Sequence, residues 1–272
     1  MQTKLTVIVD NIPQEPLHGE WGLSILAAHR GSSILIDAGA SGLFAENMRA
    51  LGLSIRDVDC AMLSHAHYDH ANGMVRFFQE NATAKFYLRE SAQENCYARY
   101  LIFRKYIGLP RHVLTDYKDR IVHVSGDYLL SDGAYLIGHK TPGLSQIGKR
   151  ERMYQKTARG LVPDDFSHEQ SLVLETEKGL LIVNCCSHGG VVNIIREVRE
   201  TFPGKHVYGY IGGFHLFNKS DAEIRAVAQN IRATGLEFVC TGHCTGQRAY
   251  EILKQTLRDR LHQLHVGLEM TF

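Results

Sequence analysis

The chain has 272 residues, with 30 Lys plus Arg against 29 Asp plus Glu, a formal net charge of +1 and 44% hydrophobic residues. That balance excludes an intrinsically disordered chain and gives no long-range pull towards nucleic acid or an acidic membrane. At this length folding removes roughly 75% of the open chain's surface from water, so a large core needs no disulfides, and one domain over 1–272 is expected.

The first ten residues, MQTKLTVIVD, alternate apolar with polar and read as a strand, not an export signal. From there Leu5–Val9, Trp21–Ala28 and Ser33–Ile36 are strand candidates, the last broken by Asp37-Ala38-Gly39. Helical spacing over Phe44–Leu51 stops at Gly52, and Val58–Leu63 is a further buried strand that leads into Ser64-His65. The spacing of Tyr97, Tyr100 and Phe103 predicts a helix over Ser91–Lys105 with its aromatics in the core. Tyr106–Arg120 reads as a loop or lid, and Lys149–Ser167 as irregular.

In the second half, Ser171–Glu175 and Leu180–Val183 flank Glu177-Lys178-Gly179, a hairpin signature. A helix over Gly190–Thr201 closes before Pro203-Gly204, and His206–Ile211 is a strand. Ser220-Asp221 caps a helix running to Ala233 and stopped at Gly235. Phe238–Thr241 and Arg248–Arg258 complete the series as strand and helix.

The decisive stretch is Ser64-His65-Ala66-His67-Tyr68-Asp69-His70, which puts three imidazoles and one carboxylate at a strand end. A loop there can turn His65 and His67 to one cation and Asp69 and His70 to a second. Neutral imidazole and carboxylate are donors that zinc, iron and manganese accept. The six cysteines, Cys60, Cys96, Cys185, Cys186, Cys240 and Cys244, are too sparse for a secreted disulfide scaffold. They read as buried fillers or metal ligands. With no apolar run near the ~20 residues of a membrane span, the expectation is a cytoplasmic protein that acts on a small molecule, without nucleic-acid or membrane partners. The oligomeric state is not legible.

The H-x-H-x-D-H run resembles the signature of the metallo-β-lactamase fold superfamily, and Ile36-Asp37-Ala38-Gly39 resembles its first motif. Glu169-Gln170-Ser171-Leu172, Cys186-Ser187-His188, Gly212-Gly213-Phe214-His215-Leu216 and His243-Cys244-Thr245-Gly246 resemble the superfamily's dihydropterin-synthase-like branch of metal-dependent hydrolases. The resemblance implies an α/β fold, a four-layer αββα sandwich with one or two metal ions at its edge. Zinc is expected first, with iron or manganese as alternatives. It implies that His188 joins His65 and His67, and that His243 joins Asp69 and His70. Asp37 is then expected to orient a ligating imidazole from behind. His168 precedes the hairpin and competes with His188 for the first ion, while Cys186 stands about where many members place a bridging Asp. Asp69 is expected to orient the nucleophile, and His215 or His168 to protonate the leaving group. Arg104, Lys105 and Arg111 could hold an anionic substrate. The expected activity is metal-dependent hydrolysis of an ester-type substrate. The alternatives are a biosynthetic transferase resembling the methanopterin-pathway synthase, and a non-hydrolytic metal sensor or redox protein.

Overall fold

The computed structural model describes residues 2–100 and 103–272. Two seven-stranded sheets form its centre. The first runs, edge to edge, through Glu269–Thr271, Lys4–Val9, Ser24–His29, Ser32–Ile36, Cys60–Met62, Lys85–Arg89 and Ile121–Val124. The second runs through Leu261–Gln263, Phe238–Thr241, Val207–Ile211, Gly179–Val183, Gln170–Thr176, Ala134–Gly138 and Tyr128–Ser131.

The alternation of side chains along each strand explains the layers. Val7, Ile34, Ile36, Leu181 and Val183 point inward and build the core between the sheets with Ile25, Met62, Leu172 and Ile211. Their neighbours Ile8 and Leu35 point outward against the helix Leu43–Ala50 and the helix Met74–Glu80. Leu180 and Ile182 do the same against Val191–Thr201, Asp221–Thr234 and Gln247–Leu257. Strands buried on both faces need runs that are apolar throughout, and Ile34-Leu35-Ile36 and Leu180-Leu181-Ile182-Val183 are such runs. The result is the expected αββα sandwich.

Local signals hold where they are strong. The hairpin register pairs Thr176 with Gly179 across a two-residue loop. Ser220 and Glu223 form a reciprocal capping box, and Gly235 ends that helix at φ 76°. Ile224, Ala228 and Ile231 form its buried stripe.

The middle of the chain differs from expectation. In place of a helix over Ser91–Lys105 there is a hairpin, Cys96–Tyr100 paired with Phe103–Tyr106; Leu101 and Ile102 lie outside the described residues. Cys96 and Ala98 face inward, in a two-residue rhythm, while Tyr100 and Phe103 are 59% and 71% exposed. Residues three apart in a strand fall on opposite faces, so these aromatics form no common buried stripe. Lys149–Ser167 likewise contains the end of a helix, Ser145–Glu151, and a second hairpin, Met153–Thr157 with Gly160–Pro163. Together the two hairpins make a small four-stranded sheet. Tyr106–Arg120 carries a short helical turn, Val113–Asp116. Among the described residues no helix is long and apolar enough to cross a membrane.

Candidate metal centre

The parallel strands of the two sheets end at one edge, and six of the expected side chains meet there. His65, His67, Asp69 and His70 come from the loop after Cys60–Met62, His188 from beyond Gly179–Val183, and His243 from beyond Phe238–Thr241. All six are buried. Donor atoms of His65, His67 and His188 lie within 4.8 Å of one another, and His67 Nδ1 is 3.2 Å from His188 Nε2. Asp69 Oδ2 is 3.7 Å from His70 Nε2 and 3.6 Å from His243 Nε2.

The supporting contacts fix which nitrogen of His65, His70 and His243 faces the centre. Asp37 accepts the Ser64 N–H and the Ser64 hydroxyl, each at 2.6 Å, and the His70 Nδ1–H at 2.7 Å. Ser64 Oγ in turn accepts from His65 Nδ1 at 2.9 Å. One buried carboxylate therefore orients two rings. Asn11 accepts from His243 Nδ1 at 3.0 Å, and Asp10 accepts the His243 backbone N–H at 2.8 Å. The Nε2 atoms of His65, His70 and His243 are left buried without a hydrogen-bond partner, as are His67 Nε2, His188 Nδ1 and His215 Nε2. Buried polar atoms are rarely orphaned, and a cluster of facing lone pairs around a carboxylate is chemically suited to a cation. The residues present fit a metal.

Electrostatics agree. Burial, then the neighbouring imidazoles, push His65 and His188 far below the usual histidine range, and His67 down to about 3. These rings stay neutral, as ligands must. Burial alone would raise the Asp69 carboxyl; His70 and His243 outweigh it and hold Asp69 below the usual carboxylate range. Against burial, Cys244 and Asp69 push His243 up to about 9, so a proton competes with a cation for this corner.

His188 and His168 both come up to His67, His168 in a group with Cys96 and Asp164. His168 sits behind the loop, 1% exposed, with Nδ1 accepting the Ala66 N–H at 3.1 Å and Nε2 facing Asp164 at 3.1 Å. Both nitrogens are engaged, so His168 braces the metal loop and is not placed to protonate a leaving group. His215 is 9% exposed, its ring 4.4 Å from that of His188, and it lines two adjoining cavities. One, of 110 Å³, is the mouth of the cluster and is bordered by Trp21, Tyr68, Tyr100 and Phe217. The other, of 260 Å³, is walled by Val191, Phe214, Leu216 and Val227, with Arg150 and Lys219 also lining it. Of the expected cations, Arg111 stacks on Tyr106 and donates to Tyr97, and Lys105 lies over the Tyr68 ring. Arg104 is exposed on the small sheet.

Several supports escape a reading of the sequence. Glu169 accepts the N–H groups of His188 and Gly189 at 2.9 and 2.8 Å. His139 bridges Glu169 and Glu197 at 2.5 and 3.0 Å. Burial opposes a charge on His139, but the two carboxylates outweigh it and push His139 up to about 9. Asp10-Asn11 follows the first strand as Asp37 follows the third; that shared grammar was the available signal.

A mixed-sheet sandwich with His-rich loops at one edge defines a metallo-β-lactamase-type protein. Residues 22–202 match the metallo-beta-lactamase superfamily, and the chain belongs to it. It is similar to a solved metal-dependent hydrolase of the beta-lactamase superfamily, 27% identical, with a TM-score of 0.83 and 98% of each chain covered. It is also 26% identical over 273 residues, 90% of each chain, to the 7,8-dihydropterin-6-methyl-4-(beta-D-ribofuranosyl)-aminobenzene-5'-phosphate synthase of Methanocaldococcus jannaschii. A metallo-beta-lactamase fold protein from Bacillus subtilis, 11% identical with a TM-score of 0.62, covers 100% of this chain with 99% of its own and shares the fold.

Proposed function

We propose that this protein is a metal-dependent hydrolase of a small molecule with an ester-type bond, phosphoesters included. The observation that carries this reading is the convergence of six buried donors, Asp69 and five imidazoles that each leave one buried ring nitrogen without a protein partner. His65, His67 and His188 hold one ion; Asp69, His70 and His243 hold a second. Imidazole with carboxylate suits zinc, and accepts iron or manganese. Such ions, when bound, acidify water near neutral pH and polarise an oxygen of the substrate.

The chain's own groups do the rest. Asp69 borders the mouth cavity and orients the attacking water. His215 Nε2 carries a proton to the leaving group. Trp21 and Phe217, in edge contact at 5.6 Å, wall the mouth against bulk water.

A second reading is transfer chemistry like that named for the archaeal synthase. It is favoured by the aromatic border of the mouth, which suits a flat ring. Elemental analysis of the purified protein, with a panel of phosphodiesters, lactones, thioesters and β-lactams, tests both. The expected result is one or two ions per chain, hydrolysis of one ester class, and its loss in Asp69→Asn. A protein that binds no metal even after reconstitution sinks the proposal. Condensation of a pterin with an aromatic ribosyl compound, without hydrolysis of any ester, puts the transferase in its place.

A further inference from the structure

The proposed hydrolysis leaves the 260 Å³ cavity beside the mouth without a task. The two spaces share His188 and His215 in their walls. The larger one is apolar, walled by Ile147, Val191, Phe214, Leu216 and Val227. Phe214, His215 and Leu216 present three consecutive side chains to it, which a strand, alternating its faces, would not do. The turn at His215, with φ 50°, allows this. Thr245 Oγ1 pins it by accepting the Phe214 N–H at 3.0 Å, and the Cys244 carbonyl by accepting the Leu216 N–H at 2.9 Å. The charged groups around the cavity cancel. Lys219 and Arg150 both pair with Glu151, whose side chain is 4% exposed and also accepts from Asn218 at 3.0 Å. Glu223, the fourth, caps the helix Asp221–Thr234 through Ser220. Two cations and two carboxylates leave no net charge for an ionic ligand to meet.

We propose that this cavity is the leaving-group pocket, and that the substrate is an ester of an uncharged, apolar alcohol carrying one or two rings. The inference deepens the hydrolase reading above and rests on it. His215 sets the direction. It lines both cavities and its Nε2 is buried without a partner, so the atom it protonates lies where the two spaces meet. There the bond between the alcohol oxygen and the acyl or phosphoryl centre breaks. The oxygen keeps the electron pair and takes the proton from His215 Nε2. The attacking water supplies the oxygen that replaces it and returns a proton to His215. The acyl or phosphoryl half stays at the mouth beside Asp69, and the alcohol's body extends into the larger space. Size and chemistry agree with that occupant. An apolar cavity of about 150 Å³ takes a benzene ring, so 260 Å³ admits a fused or substituted ring. A charged substituent would have to part the buried Lys219–Glu151 pair or stay unpaired among apolar walls, and both are costly.

The test has a binding arm and a kinetic arm, both on the purified full chain. In the first, 2-naphthylmethanol is titrated and followed by saturation-transfer NMR. Wild type is expected to bind it, and Val227→Phe, which fills the cavity, to bind at least about 10-fold more weakly with unchanged metal content. Tyr100→Ala, at the mouth, keeps the binding. Circular dichroism checks each fold, and Ala226→Phe, on the exposed side of the same wall, replaces the Val227 variant if that one misfolds. In the second arm, methyl, benzyl, 2-naphthylmethyl and 4-carboxybenzyl esters of one acid are compared, since their alcohols are of similar acidity. The expected kcat/KM rises at least about 10-fold from methyl to benzyl and holds for naphthylmethyl. It falls for 4-carboxybenzyl, and Val227→Phe removes the preference through KM. Naphthylmethanol binding that is lost in Tyr100→Ala but kept in the filled variant, or an equal rate for methyl and benzyl, overturns the pocket and leaves the hydrolase reading standing. A metal-replete protein that hydrolyses no ester overturns that reading and the leaving-group role with it.

Discussion

Residues 64–70, at one strand end of the first sheet, supply His65, His67, Asp69 and His70 from a single stretch, whereas the second sheet supplies His188, His215 and His243 from three separate loops. The backbones differ too. The metal loop contains no residue at positive φ, but Ser187, His215 and His243 sit at 51°, 50° and 44°. Each non-glycine residue in that region costs about 1–3 kcal/mol and persists only where its surroundings hold it. The surroundings are buried polar groups from elsewhere. Asn184 Oδ1 accepts the N–H groups of Cys186 and Ser187, Glu169 those of His188 and Gly189, and Asp10 that of His243. Thr245 Oγ1 accepts the Phe214 N–H beside His215. The placement of side chains by a single loop is set locally; their placement across loops requires a scaffold that pins each strained turn.

The comparison breaks most sharply at the metal loop. His67→Ala should abolish metal binding at the first site and lower turnover by more than about 10²-fold, with little change in circular dichroism. Full metal content and turnover in that variant would remove the ligand assignment. On the second-sheet side, Glu169→Gln should cost about 3–5 kcal/mol in denaturant unfolding, because it leaves a buried charged His139 facing one carboxylate fewer. Metal affinity should fall about 10–100-fold with it, through the released His188 turn. A loss of stability with unaltered affinity would separate the clamp from the site.

Asp37→Asn sharpens the contrast on the first sheet. It should weaken metal binding about 10–100-fold, since the His70 and Ser64 donors lose their acceptor's charge. The pH dependence of His139 is a further test. Its folded pKa of about 9 lies above the ordinary histidine value of 6.5, so its stabilisation is fully present below pH 6.5 and lost as pH rises through 9. The stability gap between wild type and His139→Gln, about 3 kcal/mol at pH 6, should close by pH 10. A gap that widened with pH would mean a neutral ring. Smallest, Ser220→Ala removes a cap far from the centre and should cost about 1 kcal/mol with no change in metal content, read by thermal melting.

The legible parts of the fold are those with doubly buried strands and strong stops. Ile34-Leu35-Ile36 and Leu180–Val183 are apolar throughout, so their strands stand out, and Gly52, Gly179 and Gly235 mark ends. The segment 96–106 was illegible because its residues alternate only weakly. Its strand state comes from pairing Cys96–Tyr100 with Met153–Thr157, about fifty residues away. Hydrogen bonds to a distant partner leave little mark on local spacing.

By itself, the sequence determined the alternation of strands and helices and the metal loop, because both are written in contiguous residues whose periods and side-chain chemistry act locally. Only the tertiary structure decided that His188 comes to 3.2 Å from His67 while His168, on the other side of that ring, is held by Ala66 and Asp164. It also decided that Asp10-Asn11 holds His243. Each of those outcomes depends on how two sheets pack face to face, which brings groups separated by a hundred residues or more to within hydrogen-bond distance.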